Sequence, residues 1–530
     1  MRRHLVPAAL LAVLLPSLLG AQKPKDIKKA AALITPKAVL ERISVIADDS
    51  MGGRNTPSAG LEKVAIYLAD NYRKWGLLPA GDNGTYFQRY TMVKRAADLT
   101  ASYLEVNEMG TVSRYRFDKW AFPSGPMTGT PITSPVRILA GPVTPQTLEP
   151  LTLTGQIVLW VQDAARAADN SVLNRALVAK APAAILILTN QSPTVFNALF
   201  AQSRTGGRGA LDGFPARGIP TLTMQDSIFA GDPQAANRPN WNDLRMSNTP
   251  VVMDAPDGVS ATLVLKDVEL SRFTAPNVVA MVRGSDPTLR NEYVVFSGHM
   301  DHVGTADDGV GGCRPFTRPD NTVDNICNGA DDDASGTTGI LSVAEAAAKL
   351  KTKPKRSIVI LNVSGEEKGL LGSAWFAAHP TLPLDKVVAD INMDMIGRNA
   401  TDSIVVIGKE HSDLGATLAG VQAQHPELKL VAADDIWPEQ SFYTRSDHFN
   451  FARKGVPVLF FFNGTHPQYH RADDEVKLID TSKLARVAQL GFYFGVEIAN
   501  NPVRPKWNPE SYQLIVVEGK TPPAVKKAGS

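Results

Sequence analysis

The sequence predicts an α/β protein, a three-layer αβα domain around a mostly parallel, mixed sheet, interrupted by a small β-rich inserted domain. Three observations predict it. From Asn291 onward, apolar strand candidates alternate with helix candidates. Between Phe122 and Asp267, short β-rich runs dominate instead. The chain has 530 residues, 44% hydrophobic and 20% charged, enough for two or three domains with cores of their own. That composition excludes a disordered, fibrous or collagen-like chain.

In chain order, residues 1–21 open on Arg2 and Arg3, run uncharged from Leu5 to Ala21 and end on small residues, which predicts a secretory signal peptide. The run is too short for a membrane span and Pro16 interrupts it. No Cys follows Gly20, so no lipid anchor is expected, and no later segment is apolar for long enough to insert stably in a membrane. The mature protein is therefore expected to be soluble and secreted or periplasmic. Lys and Arg total 55 against 53 acidic residues, and loss of Arg2 and Arg3 leaves 53 of each sign. No electrostatic case for a nucleic-acid partner follows.

Residues 22–121 read as the N-terminal part of the main domain, with a packing helix over Gly60–Trp75 whose residues Leu61, Val64, Ala65, Tyr67, Leu68 and Tyr72 recur at helical spacing. In the insert, residues 122–267, strand runs Gln156–Gln162 and Ala183–Thr189 flank a helix candidate, and Gly218–Met224 follows. Nothing there has a catalytic spacing. Residues 268–500 carry strands at Tyr293–Ser297, Ser357–Val363, Val387–Met393, Ser403–Ile407 and Val456–Phe461, with a helix from Gly336 to Leu350 stopped by Pro354. The tail, residues 501–530, reads as a loose end. Cys313 and Cys327, the only cysteines, read as a loop-closing disulfide in an exported chain; free thiols or metal ligands are the alternatives.

Metal-competent side chains recur just past these strand ends, where open α/β sheets bind ligands. They are His299, Asp332, Glu367, Asp394 and His470. Neutral imidazoles and three carboxylates set three negative charges against two divalent cations, and this donor mixture suits zinc. Five ligands satisfy two ions only if one carboxylate is shared, which holds the ions roughly 3.5–4 Å apart. In the pair Glu366-Glu367, one acid spent on a metal leaves its neighbour as general base. Asp301, two residues after His299, is placed to accept the second imidazole N–H.

The segments His299-x-Asp301, Gly329-Ala-Asp-Asp-Asp-Ala-Ser-Gly336, Glu366-Glu367-x-Gly-Leu-Leu-Gly-Ser373, Asn392-x-Asp394-Met and Tyr469-His470 resemble the motif set of the M28 family of zinc aminopeptidases. The likeness covers Tyr293 to Leu478 and, more loosely, the N-terminal part with Gly52-Gly-Arg54; the insert is similar to a protease-associated domain, marked by Gly155-Gln-Ile-Val-Leu. The resemblance implies two zinc ions bridged by Asp332, one completed by His299 and Asp394, the other by Glu367 and His470. It implies Glu366 as the base, Tyr469 as a stabiliser of the oxyanion, and peptides with a free N-terminus as substrates. Related alternatives are a carboxypeptidase, a glutaminyl cyclase and a non-catalytic receptor. A departure is the stretch of 32 residues between His299 and Asp332, which carries both cysteines and would narrow the mouth of the site.

Other candidates read more plainly. Ser446-Asp447-His448 holds serine-triad residue types, yet sequence neighbours seldom have that geometry, so a structural turn is expected. Trp375, Phe376, Trp437 and Phe442 are expected in the core, with a pocket as the alternative. Arg398 and Arg445 are candidates for holding a substrate carboxylate.

Overall fold

Strand Tyr293–His299 is apolar on both faces, and its alternate residues enter different cores. Val294 and Phe296 face one, Val295 the other. A strand buried on both sides belongs inside a sheet covered above and below, the setting of parallel strands. The computed structural model describes residues 22–117, 119–205, 209–214, 218–308 and 312–522, so the expected signal peptide lies outside the described residues.

The chain forms two compact units, residues 91–274 and the parts before and after them. In the larger unit the sheet order is Val431–Ala433, Ser403–Ile407, Val458–Phe462, Val387–Met393, Tyr293–His299, Ser357–Val363, Asp267–Val282. Tyr293–His299 runs parallel to both of its neighbours, and Val387–Met393 runs parallel to Val458–Phe462. Antiparallel pairs occur toward the edges, at Ser403–Ile407 and at residues 278–282. The sheet is mixed, as read from the sequence, with parallel pairing at its centre and antiparallel pairing toward its edges.

Helices Pro36–Ile46, Ala59–Trp75, Ala334–Lys349 and Thr481–Asn500 supply Ile43, Leu68, Ile340 and Leu484 to the first core. Phe376 and Phe451, from Leu371–Ala378 and His448–Ala452, enter the second. Each such side chain contributes about 1.5–3 kcal/mol by leaving water. The helix Ala59–Trp75 begins where Ser58 accepts the Leu61 N–H at 3.1 Å and ends at Gly76, whose φ of +79° suits a left-handed cap.

The smaller unit carries a sheet in the order Thr111–Arg116, Tyr103–Glu108, Val259–Val264, Ile132–Ala140, Ile157–Gln162, Ala184–Thr189, Thr221–Met224, Ala121–Pro123. Its first hairpin, residues 103–116, precedes Phe122 and pairs within this sheet, outside the bounds 122–267 that the sequence reading gave the insert. The reason is local pairing: Glu108 and Thr111 close a turn at Met109-Gly110, and Tyr103–Glu108 then zips onto Val259–Val264.

The tail differs from expectation as well. Trp507 Nε1 donates to the Gly455 carbonyl at 2.9 Å, residues Pro509–Tyr512 are helical, and Ile515 is fully buried in the second core. Its apolar run Leu514-Ile-Val-Val517 was the signal. Among the described residues no helix is long and apolar enough to cross a membrane.

Candidate metal centre

Parallel register brings the strand ends level. His299 pairs with Val363, and Ser297 with Asn392, so His299, the loop Ser364–Glu367 and Asp394 emerge on one edge. The N-terminus of helix Ala334–Lys349 is driven against that edge: a Cβ on Gly336 would lie 2.1 Å from the Met393 carbonyl oxygen, so only glycine fits. Asp333 caps this helix, accepting the Gly336 N–H at 2.8 Å, which leaves the preceding Asp332 facing the strand ends.

All five expected ligands converge. His299 Nε2 lies 3.3 Å from Asp332 Oδ1 and 3.6 Å from Asp394 Oδ1. His470 Nε2 lies 3.2 Å from Asp332 Oδ2 and 3.2 Å from Glu367 Oε2. The two oxygens of Asp332 thus face two separate ligand groups. Asp394 Oδ1 and His470 Nε2 are buried and have no hydrogen-bond partner, although buried polar atoms are normally satisfied. Atoms left bare between carboxylates and imidazoles are what a cation would occupy, and two sets of donors, His299 with Asp332 and Asp394 and His302 with Asp332 and Glu367, stand close enough together to hold one each; His470 faces the second set through Asp332 and Glu367.

Electrostatics agree. Burial opposes a charge on His299, but Asp394, Asp301 and Asp332 outweigh it and hold its pKa well above the ordinary value. For His470, burial is again outweighed, here by Asp332 and Glu367, and its pKa is pushed up to about 10. Burial raises the Glu366 carboxyl well above its usual range; Glu367, Asp447 and Asp394 add to this and His299 opposes it. Glu366 lines the same cavity as His299, Asp332, Asp394 and Tyr469. Asp301 meets the imidazole through its backbone: His299 Nδ1 lies 3.2 Å from the Asp301 carbonyl and 3.5 Å from Oδ1, which accepts the Glu366 N–H at 3.3 Å, while Oδ2 accepts from Thr56 at 2.8 Å. The ring of Tyr469 stacks on His470 at 3.8 Å between centroids.

Ser446-Asp447-His448 forms no triad. Ser446 donates to Asp394 Oδ2 at 2.9 Å, Asp447 accepts from Ser373, and both nitrogens of His448 lack hydrogen-bond partners. Phe376 and Phe442 are core residues, and Trp437 packs on the same cluster. Trp375 stacks on His379. Phe442 also lines the cavity, together with Met395, Phe460, Phe462 and Arg445. Arg398 instead donates to Gln468 and stands 3.7 Å from Asp474.

Cys313 and Cys327 form a disulfide. The loop it closes is strapped to a ligand segment: the Arg314 N–H donates to the His470 carbonyl at 3.0 Å, and the Ala472 N–H to the Arg314 carbonyl at 3.0 Å.

Sequence reasoning passed over three supports. His302 Nδ1 lies 2.9 Å from Glu367 Oε1. Asp474 Oδ2 accepts the N–H groups of Asp331 at 3.0 Å and Asp332 at 3.3 Å. The guanidinium of Arg54, fully buried, donates to the carbonyls of Met300, Ile46, Asn328 and Gly329. His302 directly follows the quoted His299-x-Asp301, whereas Asp474 carried no spacing signal.

Comparison with known proteins adds the following. A probable leucine aminopeptidase of Trichophyton verrucosum (strain HKI 0517) is 26% identical over 322 residues, covering 54% of this chain and 78% of the relative. A probable zinc metalloprotease of Leptosphaeria maculans is 34% identical over 126 residues, 24% of this chain and 25% of that one. The solved aminopeptidase from Aneurinibacillus sp. strain AM-1 aligns with a TM-score of 0.48 at 18% identity, covering 91% of this chain and 98% of its own. Residues 277–494, the segment that contains every ligand candidate described above, match Peptidase family M28.

Proposed function

We propose that this chain is an exported dizinc aminopeptidase. The observation that carries the reading is the division of Asp332, with Oδ1 toward His299 and Asp394 and Oδ2 toward His470 and Glu367. The residues fit two zinc ions by donor type and by the bare atoms of Asp394 and His470. Zinc supplies Lewis acidity, polarising a carbonyl and lowering the pKa of water.

The chain's own groups supply the rest. Glu366, raised by burial, takes the proton of the attacking water and returns it to the departing amine. Tyr469, whose ring stacks on His470 and lines the cavity, would hydrogen-bond the oxyanion. Phe442, Phe460, Phe462 and Met395 offer an apolar wall for the first side chain, in keeping with a relative named a probable leucine aminopeptidase. Export is supported by the signal-like residues 1–21 and by the disulfide, which persists in oxidising compartments.

One observation favours a second reading. Exposed Arg445 lines the same cavity and suits a free α-carboxylate, as a carboxypeptidase needs. N-acetylated dipeptides separate the two, because an aminopeptidase leaves them intact. The mechanism is tested by Glu366→Gln, assayed on leucine anilide with zinc counted by mass spectrometry. Two ions retained and turnover lowered about a hundredfold or more is the expected result; near-normal turnover removes Glu366 as the base.

A further inference from the structure

We infer that His302 is a positioning residue for the metal ligand Glu367, an inference that rests on the dizinc reading above. His302 is fully buried. Its backbone N–H donates to the Arg54 carbonyl at 3.2 Å, and its ring lies so close to Gly329 that a Cβ there would come within 2.5 Å of Cγ and Cδ2. The ring is therefore fixed in place, with Nδ1 at 2.9 Å from Glu367 Oε1. Glu367 Oε2 is left to face His470 Nε2 at 3.2 Å.

The distances separate a support from a ligand. Two atoms bound tetrahedrally to one zinc at about 2.0–2.1 Å stand about 3.3 Å apart. The separations of 3.2 Å from His470 Nε2 to Asp332 Oδ2 and to Glu367 Oε2 match that spacing. His302 Nδ1 departs from it on both sides: 2.9 Å to Glu367 Oε1 is a hydrogen-bond distance, and 3.8 Å to Asp332 Oδ2 is longer than the tetrahedral spacing. The opposite ligand group is built the same way. Asp394 Oδ2 accepts from Ser446 at 2.9 Å while Oδ1 stays bare toward His299. Each unshared carboxylate thus has one oxygen within hydrogen-bond distance of a neighbouring side chain and the other aimed at the shared site, an arrangement that orients ligands in metal proteins.

The test uses the full chain loaded with zinc, carrying His302→Ala, His302→Asn or Ser446→Ala. Asn places an amide N–H where Nδ1 stood. Zinc content after gel filtration and the rate of zinc transfer to a chromophoric chelator are read, with thermal melting as the check on folding. His302→Ala is expected to hold one ion as tightly as wild type and the second 10- to 100-fold more weakly. His302→Asn is expected to stay within about threefold of wild type for both ions, since the donor is kept. Ser446→Ala is expected to weaken the other ion. If His302→Ala does not fold, His302→Leu, which fills the space without a donor, takes its place. Wild-type zinc retention in the donorless variant overturns the inference, and so does an Asn variant as weak as Ala, which would make the ring itself a ligand. A wild-type chain that binds no zinc refutes the dizinc reading instead.

Discussion

Arg54 offers the sharpest stability test, because a fully buried cation here is held by backbone and not by a salt bridge. Its three nitrogens donate to the carbonyls of Ile46, Met300, Asn328 and Gly329, and among the described residues no carboxylate lies within ion-pair distance. Those carbonyls belong to a helix end, the segment just after His299 and the loop that leads to Asp332. Arg54→Met keeps much of the aliphatic bulk but removes every donor. A buried acceptor left bare costs about 1–3 kcal/mol, so four of them cost at least about 4 kcal/mol. The exposed Arg73, paired with Asp70, is the control, and Arg73→Met is expected to cost about 1 kcal/mol or less. Urea unfolding followed by circular dichroism, with and without zinc, reads both variants. A loss below about 1 kcal/mol for Arg54→Met would show that the carbonyls find other partners, and the pinning argument would fall.

Two further outcomes are expected. Burial pushes Asp390 up to about 8 from 3.8, so the native carboxyl keeps a proton that the unfolded chain releases above pH 4. Its contribution is full below pH 4 and is lost as pH rises toward 8, by about 1 kcal/mol per unit; Asp390→Asn should flatten the fall in unfolding free energy between pH 5 and 7.5, and parallel curves for the two proteins would count against it. Cys313→Ser with Cys327→Ser frees the strap that backs His470 and should lower the melting temperature and speed zinc release to a chelator, with about 3 kcal/mol of stability at stake; unchanged melting and release would show the loop is idle.

The sheet was legible because its strands are short and apolar on both faces, with polar ligands crowding their C-terminal ends. Strands 357–363, 387–393 and 403–407 fall where the apolar runs place them. The ligands were legible because parallel register brings strand ends level whatever the loop lengths, so His299 and Asp394 had to meet. What was not legible depends on contacts distant in sequence. The hairpin at residues 103–116 carried no mark of which sheet it would join, since an alternating strand fits any partner of matching register. Ile515 was marked only by the short apolar run Leu514-Ile-Val-Val517, which the Pro, Lys and Gly around it made read as part of a loose end. Asp474 acts through two backbone N–H groups more than 140 residues away, and no local spacing encodes that.

The site's charge makes one last demand. Asp332, Glu367 and Asp394 converge with Glu366 and Asp447 close by, and without cations the cluster holds protons instead: His470 is pushed up to about 10 and Asp447 to about 7. An imidazole binds metal only through a free lone pair, so loading zinc must expel the His470 proton. At pH 8 an ordinary histidine, with a pKa near 6.5, would already be neutral and release almost nothing. Here at least one proton per chain should leave at pH 8, from His470 and in addition from His299, whose imidazole is also held well above its ordinary value, and the His470 share fades only as pH approaches 10. Calorimetric titration of the chelated protein with zinc, in two buffers of different ionisation enthalpy, counts the protons directly. A count near zero at pH 8 would mean that His470 stands free of Asp332 and Glu367, and the shared-carboxylate geometry would lose its electrostatic support.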